Sequence, residues 1–168
     1  MNPMREIRVE KVVLNMGVGE GGDRLATAER VMEEIAGQKP TRTLAKKTIR
    51  DWGIKRGAPI GCKVTLRGEK ANRVLDKLLD AVGRKLRKNS FDDHGNFSFG
   101  IKEHIDIPGC KYDPQVGMWG LDVCVSLCRP GYRVKYRRRC RKKIPRSHAI
   151  SREEAMEFVK SKFGVELV

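Results

Sequence analysis

The sequence predicts an α+β domain: a mostly antiparallel sheet with helices packed on one face, basic loops and a basic C-terminal extension. Three observations lead there. Ile60, Cys62, Val64 and Leu66, and again Leu121, Val123, Val125 and Leu127, alternate with the period of two that a half-buried strand requires. A stripe of Ala71, Val74, Leu75, Leu78, Leu79, Val82 and Leu86 has helical spacing. Helical and strand segments are interspersed, with short, hairpin-like connections between them.

Residues 7–14, IRVEKVVL, are rich in Val and Ile and read as the first strand. NMGVGEGG (residues 15–22) is a glycine-rich turn. Asp23 is a candidate N-cap for a helix to Ala36, with Leu25, Ala28, Val31, Met32 and Ile35 on one face. Gly37 ends it and Pro40 prevents its continuation. Residues 39–67 carry nine Lys or Arg and a single acid, Asp51. Within them, Gly53 to Pro59 holds too much Gly and Pro for regular structure, which predicts an exposed, mobile loop. A strand over 60–67 and a helix over 69–88 follow. Asp92 to Asn96 is a turn, and Phe97, Phe99 and Ile101 alternate as a strand. Residues 105–118 are irregular, broken by Pro108-Gly109 and Asp113-Pro114. After the strand at 121–127, residues 129–148 hold ten Lys or Arg and no acid, interleaved with Tyr132, Tyr136 and His148. Ser151 and Glu154 form a capping box for a last helix, to about Gly164, using Ala155, Phe158 and Val159.

At 168 residues the chain is read as one domain, 1–168, with a basic extension at 129–150 and a C-terminal helix at 151–164. The net charge of +15, from 36 basic and 21 acidic residues, exceeds what solubility needs and points to a polyanion, nucleic acid before membrane. No apolar run approaches the ~18 residues of a membrane span, and no signal-peptide core is present. Five cysteines without a CxxC pair read as reduced thiols of a cytosolic protein.

Three chemical readings compete with nucleic-acid binding. Gly17, Gly19 and Gly22 satisfy GxGxxG between a strand and a helix. Against a dinucleotide site, Glu20 would repel a pyrophosphate and no acid lies about 20 residues beyond to hold a ribose. Cys124 and Cys128 share a strand face but stand about 13 Å apart, too far for one zinc ion. His94, His104 and His148 lack any catalytic context, and Asp92-Asp93 suits a turn that bonds its own backbone. The sequence therefore predicts no enzyme, no metal and no cofactor. Its strand at 60–67 instead turns Lys63, Thr65 and Arg67 to one face, a platform for a sugar-phosphate backbone. Tyr132 and Tyr136 among arginines suit stacking and phosphate contact, in an extension expected to order on RNA. A nonspecific RNA chaperone is the remaining alternative.

VEKVVLNMGVGE (9–20), GQKPTRTLAKK (37–47), KRGAPIGCKVTLRG (55–68) and DHGNFSFGIKEHIDIPG (93–109) occur in the order found in the "L five" family of large-subunit ribosomal proteins, which the chain resembles. RPGYRVKYRRRCRKKIPRSHAISREEAM resembles the ending of the archaeal and eukaryotic branch. The resemblance implies a cytoplasmic ribosomal protein that binds 5S rRNA and large-subunit rRNA and helps attach 5S rRNA at the central protuberance, beside a neighbouring 5S-binding protein. By motif match the 5S contacts fall on Asn15, Gln38 and Thr65, with Lys46, Lys47, Lys63 and Arg67 as phosphate-contacting neighbours. The family's loop facing P-site tRNA falls on residues 54–61, giving Lys55, Arg56, Gly57 and Pro59, and the same side faces a small-subunit head protein. Arg133, Tyr136, Arg137, Arg138 and Arg139 are expected to add rRNA contacts. His94 departs from the family's usual residue in its turn.

Overall fold

A computed structural model describes residues 2–110, 114 and 116–168. Asp113, expected to break regular structure, lies outside the described residues. Five strands form the main sheet: β1 (Arg8–Gly17), β2 (Thr41–Leu44), β3 (Pro59–Leu66), β5 (Phe97–Ile101) and β6 (Leu121–Cys128). Their spatial order is β2-β3-β1-β6-β5, and every pairing is antiparallel. A short parallel pair, β4 (Lys85–Leu86) with β7 (Glu166–Leu167), lies apart from it. The longer helices are α1 (Asp23–Ala36), α2 (Gly68–Ala81) and α4 (Arg152–Phe163); α3 (Arg133–Tyr136) is a single turn. None of the described helices is long and apolar enough to cross a membrane.

Partners directly opposite in a sheet point to the same face. Val12, Leu14 and Met16 of β1, Cys62, Val64 and Leu66 of β3, and Leu121, Val123, Val125 and Leu127 of β6 are all buried. They meet Leu25, Ala28 and Met32 of α1 and Leu75, Leu78 and Leu79 of α2 in one core. Burying each large apolar side chain contributes about 1.5–3 kcal/mol, which is why this face is covered first. Cys62 belongs to this core as the alternation predicts, and burial pushes its thiol up to about 11. The five cysteines are free.

The boundaries differ from the sequence reading in four places. β1 runs on to Gly17, so Asn15 is a strand residue and not part of the turn. Asp23 is the first helical residue; the cap is Gly22, at φ 87°, without a side-chain hydrogen bond. α2 stops at Ala81 because Gly83 (φ 64°) and Arg84 (φ 55°) adopt the left-handed conformation. Leu86 continued the helical stripe only because β4 buries it from another direction. Arg84 holds that turn: it pairs with Asp80 at 2.6 Å and Asp76 at 3.1 Å and donates to the carbonyl of Phe163, where α4 ends. Finally, β3 opens one residue early, at Pro59, and a short β2 precedes it. Residues 45–58 between them form no strand or helix, as the sequence predicts for 53–58, but they are hydrogen-bonded to one another. Ala45 donates to the Ala58 carbonyl and accepts from Gly57, both at 2.9 Å, and Ile49 bridges Ile54. The β2–β3 hairpin thus projects as a hydrogen-bonded arm with Trp52, 72% exposed, near its tip.

In the turn at 92–96 Asp92 bonds its own backbone, as the sequence suggests. One carboxylate oxygen accepts from the amides of His94 (2.9 Å) and Asn96 (2.7 Å), the other from the Asn96 side chain (2.8 Å). Burial pushes this carboxyl up, but these bonds outweigh it and hold it below its ordinary range. Gly95 (φ 77°) lets Ile150 pack against the turn: a Cβ there would lie 2.6 Å from Ile150 Cγ2.

The basic extension is tied at its base by its own chain. Arg129, 6% exposed, donates to the carbonyls of Arg5 (3.1 Å), His148 (3.4 Å) and Ala149 (3.1 Å) and pairs with Glu154 at 2.8 Å. The Tyr132 hydroxyl accepts from the Ile150 amide at 3.1 Å and donates to the His148 carbonyl at 3.3 Å, and His148 Nε2 lies 2.9 Å from the Pro130 carbonyl. Tyr132, which the sequence suits to RNA stacking, therefore closes the neck of a loop together with Arg129 and His148. The capping box of Ser151 and Glu154 is present, and the Ser151 amide and Arg129 together lower the Glu154 pKa despite burial.

Close backbone approach and the neck can each be tested. Gly61→Ala should cost about 1–3 kcal/mol in denaturant unfolding, because its Cβ would lie 2.6 Å from the Met16 carbonyl oxygen. Gly17→Ala, with nothing within 4 Å, should be neutral or stabilising. Arg129→Ala should cost about 2–3 kcal/mol and open the extension to trypsin, since three carbonyls and a carboxylate lose their donor. The Glu154 contribution is fully present above the ordinary glutamate pKa and lost as pH falls through the lowered value, so Glu154→Gln should flatten stability-versus-pH profiles below about pH 4.5.

Candidate RNA-binding surface

Covering one face of the sheet leaves the other to polar residues. Strand register sets a row across all five strands: Thr41, Lys63, Asn15, Asp122 and Gly100. The adjacent row is Thr65, Val13, Cys124 and Ser98. Lys63 and Asp122 flank Asn15, and all but Asn15, Val13 and Thr65, which are half-buried, are exposed. Among the described residues, the Asn15, Thr65 and Lys63 side chains make no hydrogen bond to protein, so their donors and acceptors face outward unspent. Over the β1–β6–β5 part opens a concavity of about 730 Å³ with Lys85 and Arg87 in its lining.

Arg67 follows Lys63 and Thr65 on the same face by alternation, but it is not a free cation. It pairs with Glu10 at 3.7 Å. Glu10 lies in a β-bulge, where the register slips between Val9 and Lys11. Tyr136 of α3 stands on the other side of Glu10; burial first and then this carboxylate push its phenol up. Arg67 and Tyr136, expected in separate groups, are thereby joined through one acid. Tyr136 remains 56% exposed.

The other expected contacts fall elsewhere. Gln38 is exposed in the turn between α1 and β2, outside the sheet rows. Lys46 and Lys47 are exposed at the base of the arm, and Lys55, Arg56 and Gly57 lie along its returning side. Pro59 is not a loop residue: it opens β3 and packs on Gly21. Arg133 is in α3, and Arg137, Arg138 and Arg139 follow it, exposed, with Arg137 donating to the Cys140 carbonyl at 2.9 Å.

Charge compensation is uneven over the surface. Ion pairs stud the helices and their ends, as in Arg24–Glu20, Arg73–Glu69 and Arg84–Asp80. Arg42 pairs with Glu29 of α1 at 2.6 Å. Among the described residues, no carboxylate lies within 4 Å of Lys46, Lys47, Lys55, Arg56 or Lys63, nor of any Lys or Arg between 133 and 146. Uncompensated like charge so concentrated raises the potential over the surface and favours a polyanion there. Sequence reasoning missed Thr41, Asp122 and Glu10. β2 gave no alternation long enough to read, and a bulge leaves no mark in hydropathy.

The glycine turn at 17–22 is bound to its own sheet. The amides of Val18 and Gly19 both donate to the Ile60 carbonyl, at 2.9 and 2.8 Å, and Glu20 pairs with Arg24. Both neighbours of β1 are antiparallel, unlike the parallel strands of a dinucleotide fold.

Comparison with known proteins supplies the family. The family model described as ribosomal protein L5 matches residues 2–55, and the model describing the C-terminus of the same ribosomal family matches residues 59–158. The chain is 54% identical to the large ribosomal subunit protein uL5 of Sulfurisphaera tokodaii over 169 residues, covering 100% of this chain and 96% of that one. It is 52% identical to the protein of the same name from Cenarchaeum symbiosum, covering 98% of each. For that of Pyrobaculum aerophilum the identity is 50%, over 99% of this chain and 93% of the relative. The relatives are archaeal, the branch that the basic ending resembles. The chain belongs to the uL5 family, structural RNA-associated proteins of the large subunit of the cytoplasmic ribosome, and not enzymes.

Proposed function

We propose that this protein binds 5S rRNA on the open face of its sheet and helps fix it to the central protuberance, acting as one unit that positions RNA without chemistry. The observation that carries the reading is the juxtaposition of Asn15, Lys63 and Thr65 across β1 and β3, with side chains unspent within the protein. Asn15 and Thr65 supply directional bonds that set register, and Gln38 adds one from the rim. Lys46, Lys47 and Lys63 supply phosphate affinity. Arg67, neutralised in part by Glu10, contributes less than an isolated cation would. Arg133, Tyr136, Arg137, Arg138 and Arg139 extend the contact to rRNA from the far end of the sheet. The arm, with Lys55, Arg56 and Gly57 on one side and Trp52 near its tip, is the part that reaches P-site tRNA and the small-subunit head protein; Pro59 anchors its base. A neighbouring 5S-binding protein shares the RNA.

A nonspecific RNA chaperone would use the same charge without the directional groups, so salt separates the two. Binding to 5S rRNA should persist to higher salt than binding to tRNA of similar length, with a log–log slope of about 0.7–0.9 per phosphate neutralised. Equal affinities that collapse together would sink the specific reading. Thr65→Ala should weaken 5S rRNA binding by about 1–2 kcal/mol with the circular dichroism spectrum unchanged, since one directional bond is lost. Lys55→Ala combined with Arg56→Ala keeps the backbone bonds of the arm. It should leave 5S affinity within about twofold while weakening tRNA retention on reconstituted ribosomes, as removal of two phosphate-contacting cations requires. Loss of 5S binding in that variant would place the arm in the 5S site.

A further inference from the structure

Beyond the open face, the folded-back extension encloses a second concavity of about 970 Å³ against the β6–β5 end of the sheet. That is within the size of pockets that take small molecules, about 300–1,000 Å³. Its lining is chemically mixed. Lys135, Arg141, Lys142, Lys143 and Arg146 of the extension line it, and so do two carboxylates, Glu10 from the bulge of β1, which also pairs with Arg67 at 3.7 Å, and Asp93 from the turn before β5. Tyr136 lines it too, with Lys135 Nζ 5.7 Å from its ring centroid and more than half of its surface open. Tyr132, also in the lining, has its hydroxyl committed to the neck of the loop, which leaves Tyr136 as the ring available to a ligand.

We propose that this cleft takes a single unstacked nucleotide of RNA and selects a guanine base. The inference rests on the RNA-binding reading above and assigns it a base-specific pocket. A phosphate ligand alone would need only the cations. An apolar ligand would need neither cations nor carboxylates. The combination of cations, an open aromatic ring and carboxylate acceptors matches the phosphate, the base face and the base edge of one nucleotide. The phosphates meet Arg141, Lys142 and Lys143, and the base stacks on Tyr136. The carboxylates read the base edge. A carboxylate only accepts, and guanine presents two donors side by side, N1–H and the N2 amino group, so the pair is bidentate. Uracil presents carbonyl oxygens on either side of its single N–H, and two carboxylates repel them. The acids in an otherwise basic cleft thus act as a filter: they lower affinity for RNA in general and restore it for the base that fits.

The test uses the full chain and fluorescein-labelled single-stranded pentanucleotides, UUGUU and UUUUU, read by fluorescence polarisation. UUGUU should bind about tenfold tighter, the size of one good base-specific hydrogen-bonded pair. Tyr136→Ala should weaken UUGUU by about tenfold, as loss of one base–aromatic stack does. Glu10→Gln with Asp93→Asn should do two opposite things: bind UUUUU more tightly than wild type and lose the preference for UUGUU. A merely structural role for the acids would not raise affinity for one oligonucleotide while erasing discrimination. Equal binding of the two oligonucleotides by wild type, or a preference that survives the double variant, would overturn the proposal. So would a heptaglutamate peptide that displaces UUGUU at equal concentration, which would make the cleft a site for an acidic protein segment. Binding to 5S rRNA, measured on the same protein, separates the failures. Intact 5S binding without guanine preference removes this pocket alone, and absence of both removes the RNA-binding reading with it.

Discussion

The pairing of β1 with β3 on one side and β6 on the other is the interaction on which the rest depends. It aligns Met16 with Cys62 and Leu14 with Val123 on the covered face. By the same register it sets Asn15 between Lys63 and Asp122 on the open one. Core and surface are two sides of one ladder, and a slip of a single residue would exchange them. The absence of a side chain at Gly61 allows the close approach, since any Cβ there meets the backbone of β1.

Electrostatics divides the surface along the same lines. Acids on the helices, such as Glu29, Glu69, Asp76 and Asp80, are spent on neighbouring arginines. Among the described residues, the Lys and Arg of the arm and of 133–146 form no ion pair, so their charge is left for an external polyanion. Glu10 is the exception that links regions. Placed by a bulge, it sits between Arg67 and Tyr136 and joins the end of the open face to the extension. A buried cation, Arg129, plays a comparable part in the fold, collecting three backbone carbonyls and Glu154 at the point where the extension leaves and returns.

Much of this was legible in the sequence because alternation and helical spacing report burial directly. The core faces of β3, β6 and α1 and the Lys63–Thr65 face follow from period alone, and the capping box from the spacing of Ser151 and Glu154. What failed was of another kind. α2 was read too long because Leu86 is buried by a different element, and burial is what the stripe measures. Tyr132 looked like an RNA contact because composition does not distinguish a ring open to solvent from one whose hydroxyl is bonded within its own chain. β2 escaped notice since its order comes from pairing with β3, not from local preference, and the bonds that tie residues 45–58 together leave no mark in composition. Only the family resemblance pointed to Asn15 and Gln38, for which periodicity offered nothing.

The placement of β1 in the middle of the sheet also constrains how the chain is made. Asn15 pairs with Asp122, a residue roughly a hundred positions later. At a synthesis rate of about 5–20 residues per second, β1 waits about 5–20 s for that partner after its own translation. Through this interval its second edge and the apolar side chains of Val12, Leu14 and Met16 are incompletely covered, a template for pairing with other chains. Such long-range pairing slows folding, and a protein this basic emerges among abundant RNA. For a component needed in as many copies as the ribosome itself, the vulnerable stage is the nascent one, before β6 arrives.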